Sequence, residues 1–199
     1  MSLWHGEPLI LASKSEVRRK LLEAASIPFT IDPADIDERG IEARNAGLPP
    51  DKAALLLARK KALAVSSRRK GHVLGADQTL ALGDRRFSKP SGRAAARDQL
   101  KALSGQTHAL HSAAAIAEGD EILFEAVSTA RLTMRPLSDE ALDAYLDAAG
   151  DRVTTSVGAY QLESLGVHLF DKIDGDHFTV LGLPLLKLLA FFREAGRLR

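Results

Sequence analysis

The chain has 199 residues, 45% of them hydrophobic, which suits one well-buried core. Its 27 Lys and Arg against 26 Asp and Glu leave a formal charge of +1, without the positive surplus of a general nucleic-acid binder, and 5% aromatics argue against a base-stacking platform. The absence of cysteine excludes disulfides, thiolate metal sites and a cysteine nucleophile, and it fits a cytoplasmic protein.

The opening "MSLWHGEPLILAS" lacks a basic leader and reads as no signal peptide. "LILAS" then reads as a buried strand, and Glu16 to about Ala25 as an amphipathic helix with Leu21 and Leu22 inward. "IPFTIDPADIDE" is extended and interrupted by proline, which suits an edge strand or a loop. Residues 50–67 form a long helix in which Ala53, Leu56, Leu57, Ala64 and Val65 recur near helical spacing. "GHVLGAD" is a short apolar strand ending on an acid, followed by "LALGDRRFS", a hairpin turning at Gly83-Asp84.

Ser91 is placed to cap a helix reaching Leu103, stopped by Gly105. "THALHSAAAIA" and "ILFEAVSTARLTM" form a second hairpin through "EGDE". Ser138 opens a helix whose first-turn Asp139 and Glu140 suit the helix dipole, and Gly150 ends it. "GAYQLE" and "VHLFDKI" read as strands, and "GLPLLKLLAFFREAG" as a C-terminal helix too short to span a bilayer, with Pro184 and Lys187 inside it. Helices mixed with strands and at least two hairpins predict an α/β fold on a mixed sheet.

The first strand–helix joint carries Ser13, Lys14, Ser15, Glu16, Arg18 and Arg19. Free N–H groups and a positive dipole end make such a joint a phosphate cradle; the plainer reading is a serine N-cap with Arg18 and Arg19 on a solvated face. Asp77, at the end of "LGAD", suits a metal ligand, a proton acceptor or a simple turn residue. Lys89 precedes Pro90 at a turn, and of Lys60 and Lys61 one faces the apolar side of its helix. In "DIDE", Asp35 and Asp37 share a face if extended, with Glu38 opposite. The six histidines show no zinc spacing, and no GxSxG, Walker or GxGxxG motif occurs.

In order, "LILASKSEVRRKLL", "ADIDE", "LARKKA", "LGADQ", "SKPSG", "LSGQTH", "VGAYQLESLG" and "GDHFTVLGLPL" resemble the Maf family of nucleoside triphosphate pyrophosphatases along nearly the whole chain. The resemblance implies one domain over 1–199, with an elongated mixed sheet flanked by helices and a cleft between two lobes, as in Maf and ITPase-like folds. It also implies a homodimer, and cleavage of a nucleoside triphosphate at the α-phosphorus with a divalent cation such as Mg²⁺, Mn²⁺ or Co²⁺. No nucleic-acid polymer or membrane partner is expected.

On that resemblance, the family's S-x-S-x-x-R falls on Ser13, Ser15 and Arg18, and Arg19 joins the cradle. Lys61 and Lys89 neutralise phosphates, Asp77 accepts the proton of water, and Glu38 and Asp77 hold the metal. Glu16 stands where many members have proline. Three positions that track substrate class fall on Val17, Gln78 and Glu163; the last two match the 7-methyl-GTP type and none matches the dTTP/UTP type. A nucleotide-sensing regulator of cell division and a phosphatase releasing inorganic phosphate are the competing readings.

Overall fold

The computed structural model describes residues 3–199. Met1 and Ser2, with which the expected domain and the opening segment begin, lie outside the described residues. The strands are β1 (Leu9–Leu11), β2 (Phe29–Ile31), β3 (Val73–Leu82), β4 (Arg85–Phe87), β5 (Thr107–Glu118), β6 (Glu121–Met134) and β7 (Phe170–Asp174). The α-helices are α1 (Glu16–Ala24), α2 (Glu38–Arg44), α3 (Pro50–Ser66), α4 (Arg93–Leu103), α5 (Asp139–Ala149), α6 (His177–Val180) and α7 (Leu185–Glu194).

The strands join in one seven-stranded sheet, in the order β2-β1-β3-β5-β6-β7 with β4 beside β3. β1 runs parallel to β2 and β3, whereas β3–β4 and β6–β7 are antiparallel, so the sheet is mixed as expected. The chain divides into two compact units. One takes residues up to Gln78 together with His111–Ser128 and His177–Arg199; the other takes Thr79–Leu110 and Thr129–Asp176.

The first unit buries its two sheet faces against different helices, and strand alternation sorts the side chains. Leu74, Ala76, Ala114 and Ile116 join Leu21 and Leu22 of α1 and Leu185, Leu188 and Phe192 of α7 in the main core, where Trp4 packs edge-on to Phe192 at 4.9 Å. On the opposite face, Ala113, Ala115 and Ala117 of β5 meet Ala54, Ala58 and Ala62 of α3. These small side chains let the helix lie close to the sheet. A Cβ at Gly75 would collide with the Ala58 carbonyl oxygen and the Ala62 backbone nitrogen, so glycine is required where α3 crosses β3.

Several elements differ from the sequence reading. The acid of "LGAD" does not end a strand: β3 continues through Thr79, Leu80 and Ala81 into the hairpin with β4, leaving Asp77 in mid-strand. "IPFTIDPADIDE" forms β2 and a loop as expected, but helix α2 directly after it is not anticipated; Asp37 caps it, its Oδ1 accepting from Gly40 N at 2.9 Å. Helix α4 starts after Gly92 with no side-chain cap, so Ser91 does not cap it. "GAYQLE" is not a strand, because Gly158 (φ +78°) and Ala159 (φ +61°) are left-handed and the segment turns as a short 3₁₀ helix over Val157–Ala159.

In the second unit, His108 of β5 is 1% exposed. Its Nε2 lies 2.7 Å from Tyr160 Oη, while Nδ1 has no partner among the described residues. Burial holds the imidazole down to about 4 and pushes the Tyr160 hydroxyl up.

Two outcomes are expected. Gly75→Ala destabilises the protein by about 3 kcal/mol in chemical denaturation, since backbone rather than a flexible side-chain end must yield. His108 stays neutral in the folded state down to pH of about 4, whereas in the unfolded chain it takes up a proton near 6.5. The stability from its neutral form is complete above that upper value and is lost as pH falls towards the lower one, on the order of 3 kcal/mol. His108→Gln flattens that part of the stability–pH profile; a profile that keeps its slope would assign the acid sensitivity to other groups.

Candidate active site

Asp77 lies on the same face of β3 as Gly75, the face covered by α3. One turn along α3 from Ala58, Lys61 is buried with it, and Lys61 Nζ donates to Asp77 Oδ1 at 2.7 Å. The same ammonium pairs with Glu38 Oε2 at 2.9 Å, Glu38 being the half-exposed first residue of α2. Thus Lys61 is the lysine of its pair that faces inward, and Lys60 is exposed. Burial pushes the Asp77 carboxyl above the usual carboxylate range, against the pull of Lys61 and Arg18. Oδ2 of Asp77 has no hydrogen-bond partner among the described residues.

The β1–α1 joint shows the N-cap of the plainer reading, but with Arg18 buried rather than on a solvated face. Ser15 is the N-cap, its Oγ accepting from Arg18 N at 3.4 Å. Arg19 lies on the outer helix face between Glu16 and Glu23, at 3.7 and 3.9 Å. Arg18, in contrast, is 9% exposed. Its Nε donates to Gly182 O at 2.8 Å, and Nη1 donates to Ala76 O at 3.0 Å and Ser13 Oγ at 3.3 Å. β1 pairs with β3 only as far as Leu74, so the Ala76 carbonyl lies beyond the ladder and Arg18 satisfies it. Burial lowers the guanidinium from its usual value, opposed by Asp77 and Glu38. Nη2 is left without a partner among the described residues.

Gln78 points to the other face of β3. Its Nε2 donates to Ser112 Oγ at 3.0 Å and to the Thr179 and Val180 carbonyls at 3.1 and 3.0 Å. Two carbonyl acceptors fix the amide orientation, so Gln78 has only Oε1 left to offer a ligand. It thereby anchors the turn that carries Gly182, the acceptor of Arg18 Nε. The structural partners Ser112, Thr179 and Gly182 escape the sequence reading. "GDHFTVLGLPL" signals their segment, but backbone carbonyls carry no residue signature.

Val17 is half-buried on α1. Lys89 and Glu163 belong to the second unit, where both are exposed. The first unit therefore brings together Ser13, Ser15, Arg18, Glu38, Lys61, Asp77 and Gln78, while Arg19 faces away along α1.

Among the described residues no group of three or more His, Asp or Glu forms a metal cage. Glu38 and Asp77 nevertheless present two hard oxygen donors to one shared ammonium. That donor set fits a Mg²⁺-like ion, which uses one or two carboxylates and takes other ligands from phosphate and water.

Lys61→Met leaves a buried carboxylate uncompensated and is expected to cost about 3 kcal/mol at neutral pH. Adding Asp77→Asn recovers most of the loss. Additive losses in denaturant unfolding would show that Asp77 does not depend on Lys61 for its charge balance.

A family model described as Maf-like protein matches residues 8–195. A nucleoside triphosphate pyrophosphatase from Bradyrhizobium diazoefficiens is 61% identical over 98% of this chain and 97% of its own. A 7-methyl-GTP pyrophosphatase from Rhizobium etli is 51% identical over 94% of this chain and 96% of its own. A HAM1 protein structure from Coxiella burnetii, at 15% identity, shares the fold with a TM-score of 0.50 over 93% of this chain and 99% of that one. On this match the chain belongs to the Maf-like protein family.

Proposed function

We propose that the protein is a nucleoside triphosphate pyrophosphatase, cleaving its substrate at the α-phosphorus to a monophosphate and pyrophosphate. The observation that carries this reading is the buried Asp77 carboxylate bonded to Lys61 beside Glu38. A carboxylate next to phosphates repels them unless a cation intervenes, so a site built only to bind a nucleotide has no need of one, whereas hydrolysis needs a proton acceptor for water. Burial raises the basicity of Asp77 towards that task, and its Oδ2 is the oxygen not engaged by Lys61.

Water attacks phosphorus as Asp77 takes its proton, and the bond to the pyrophosphate oxygen breaks. Lys61 and the Nη2 group of Arg18 neutralise the phosphate oxygens, most strongly as charge accumulates on the departing pyrophosphate, a role the family resemblance also gives to Lys89. Ser13 and Ser15 hold Arg18 and the start of α1, where backbone N–H groups favour an anion. Glu38 and Asp77 would hold a divalent cation, which supplies further neutralisation of the phosphates.

The substrate is assigned to 7-methyl-GTP or a related purine nucleotide. Gln78 keeps only an acceptor for a ligand, and Glu163 is acceptor-only when ionised; both suit the N1–H and amino donors of guanine. The glutamate also favours the positive charge of a 7-methylated ring. The Rhizobium etli relative, named for that substrate, supports this assignment. The reading is of one catalytic domain over 1–199, active as a cytoplasmic homodimer.

Product analysis over 7-methyl-GTP, GTP, ITP, CTP, UTP and dTTP with Mg²⁺ or Mn²⁺ tests it. Monophosphate and pyrophosphate are expected from the parent, with 7-methyl-GTP fastest and activity about a hundredfold to ten-thousandfold lower in Asp77→Asn. Release of inorganic phosphate, or nucleotide binding without turnover, would overturn the reaction. Faster hydrolysis of UTP and dTTP than of every purine would overturn the substrate assignment.

A further inference from the structure

In the second unit, α4 follows the Lys89 segment in the chain, and its Gln99 bonds back to that segment, Nε2 donating to Ser88 O at 2.8 Å. The other end of the same amide, Oε1, accepts from Gly158 N at 3.2 Å, at the turn leading into the Glu163 segment. One half-buried side chain thus joins the residue before Lys89 to the loop five positions before Glu163.

That turn is in a conformation that needs holding. Gly158 and Ala159 both have left-handed backbones, at φ +78° and +61°, and Ala159 is not a glycine. A Cβ at Gly158 would meet Leu80 Cδ1 and the Tyr160 ring, so only glycine fits there. Tyr145 Oη donates to Ala159 O at 3.2 Å, and Ser156 Oγ donates to Tyr160 O. Those bonds explain how the turn is kept strained; neither reaches the Lys89 segment. Such strain persists only where the surroundings over-determine it, and it clusters at ligand-binding segments.

We propose that Gln99 is a positioning residue: it holds the Lys89 and Glu163 segments in a fixed register, so that the phosphate-binding cation and the base-reading carboxylate are set before the nucleotide arrives. This inference rests on the roles proposed above for Lys89 and Glu163. A carboxamide is suited to the task because it donates from one end and accepts at the other, matching a carbonyl on one segment and an N–H on the other. Without it, ordering the two segments would be charged against binding.

Two variants separate the arms. Gln99→Met keeps the side chain's length and removes both bonds; Gln99→Glu keeps the acceptor for Gly158 N and loses the donor to Ser88 O. Gln99→Met is expected to raise KM about fivefold for each lost bond and to narrow the rate ratio between 7-methyl-GTP and UTP, with a smaller change in kcat. Gln99→Glu is expected to raise KM and leave the base ratio in place. Amide exchange at Gly158 accelerates in Gln99→Met and stays slow in Gln99→Glu. Lys89→Ala costs less on the Gln99→Met background than in the parent.

If Lys89→Ala and Glu163→Gln each impair the parent while Gln99→Met lowers only the melting temperature, Gln99 is a structural residue and this inference fails alone. If Lys89→Ala and Glu163→Gln leave the parent unchanged, the roles of those two segments fall and this inference falls with them.

Discussion

A carboxylate buried in the middle of a β-strand is tolerable only with a cation buried beside it, and the first unit is organised around meeting that requirement for Asp77. Desolvation of each ion costs several kcal/mol, and their attraction offsets it only when the geometry is close. The 2.7 Å contact with Lys61 provides that geometry, and it depends on how near α3 lies to β3. Gly75 and the alanine layer on α3 and β5 permit the approach, so the smallest side chains in this unit determine where its most consequential charges meet. Larger residues there would bury more apolar surface and move the ammonium away from its partner.

Three consecutive residues of β3 carry three different attachments. The Ala76 carbonyl projects past the end of the short β1 ladder and is taken by Arg18; Asp77 faces α3; Gln78 faces the opposite way and pins the turn after α6. The last two follow from the two-residue period of a strand, and the first from one neighbour strand ending early. Arg18 then closes a loop of contacts, since the Gly182 carbonyl it binds belongs to the turn that Gln78 holds. Side chains fixed in this way lose little conformational entropy if they bind a ligand, as proposed for Arg18.

The sequence discloses most of this where chemistry and periodicity coincide. β1, α1, α3, the two hairpins, α5 and α7 follow from apolar spacing and turn residues, which also place one of Lys60 and Lys61 on an apolar helix face, the resemblance pointing to Lys61. The resemblance supplies Asp77 and Glu38 as partners, which no local pattern could pair, because they lie on separate elements joined only through Lys61. Missed features are of two kinds. Helix α2 and the 157–159 turn depend on a single capping aspartate and on left-handed backbone at a non-glycine residue, neither of which leaves a periodic trace. The anchoring of Arg18 and Gln78 runs through main-chain carbonyls, which every residue possesses, so sequence cannot distinguish the ones that matter.

What remains unengaged is as informative as what is bonded. Asp77 commits Oδ1 to Lys61 and Arg18 commits Nε and Nη1 to the protein, leaving Oδ2 and Nη2 unpartnered among the described residues, on groups that cannot easily turn. Neither atom is among the fully buried, unpartnered side-chain atoms of the described residues, so water or a ligand can reach both. Here each side chain is held by part of its bonding capacity and offers the rest. That division suits preorganised catalysis, in which the groups facing the developing charge do not have to reorganise as the reaction proceeds. The elevated basicity of Asp77 belongs to the same arrangement: the burial that makes the carboxylate costly to keep ionised also makes it a better proton acceptor.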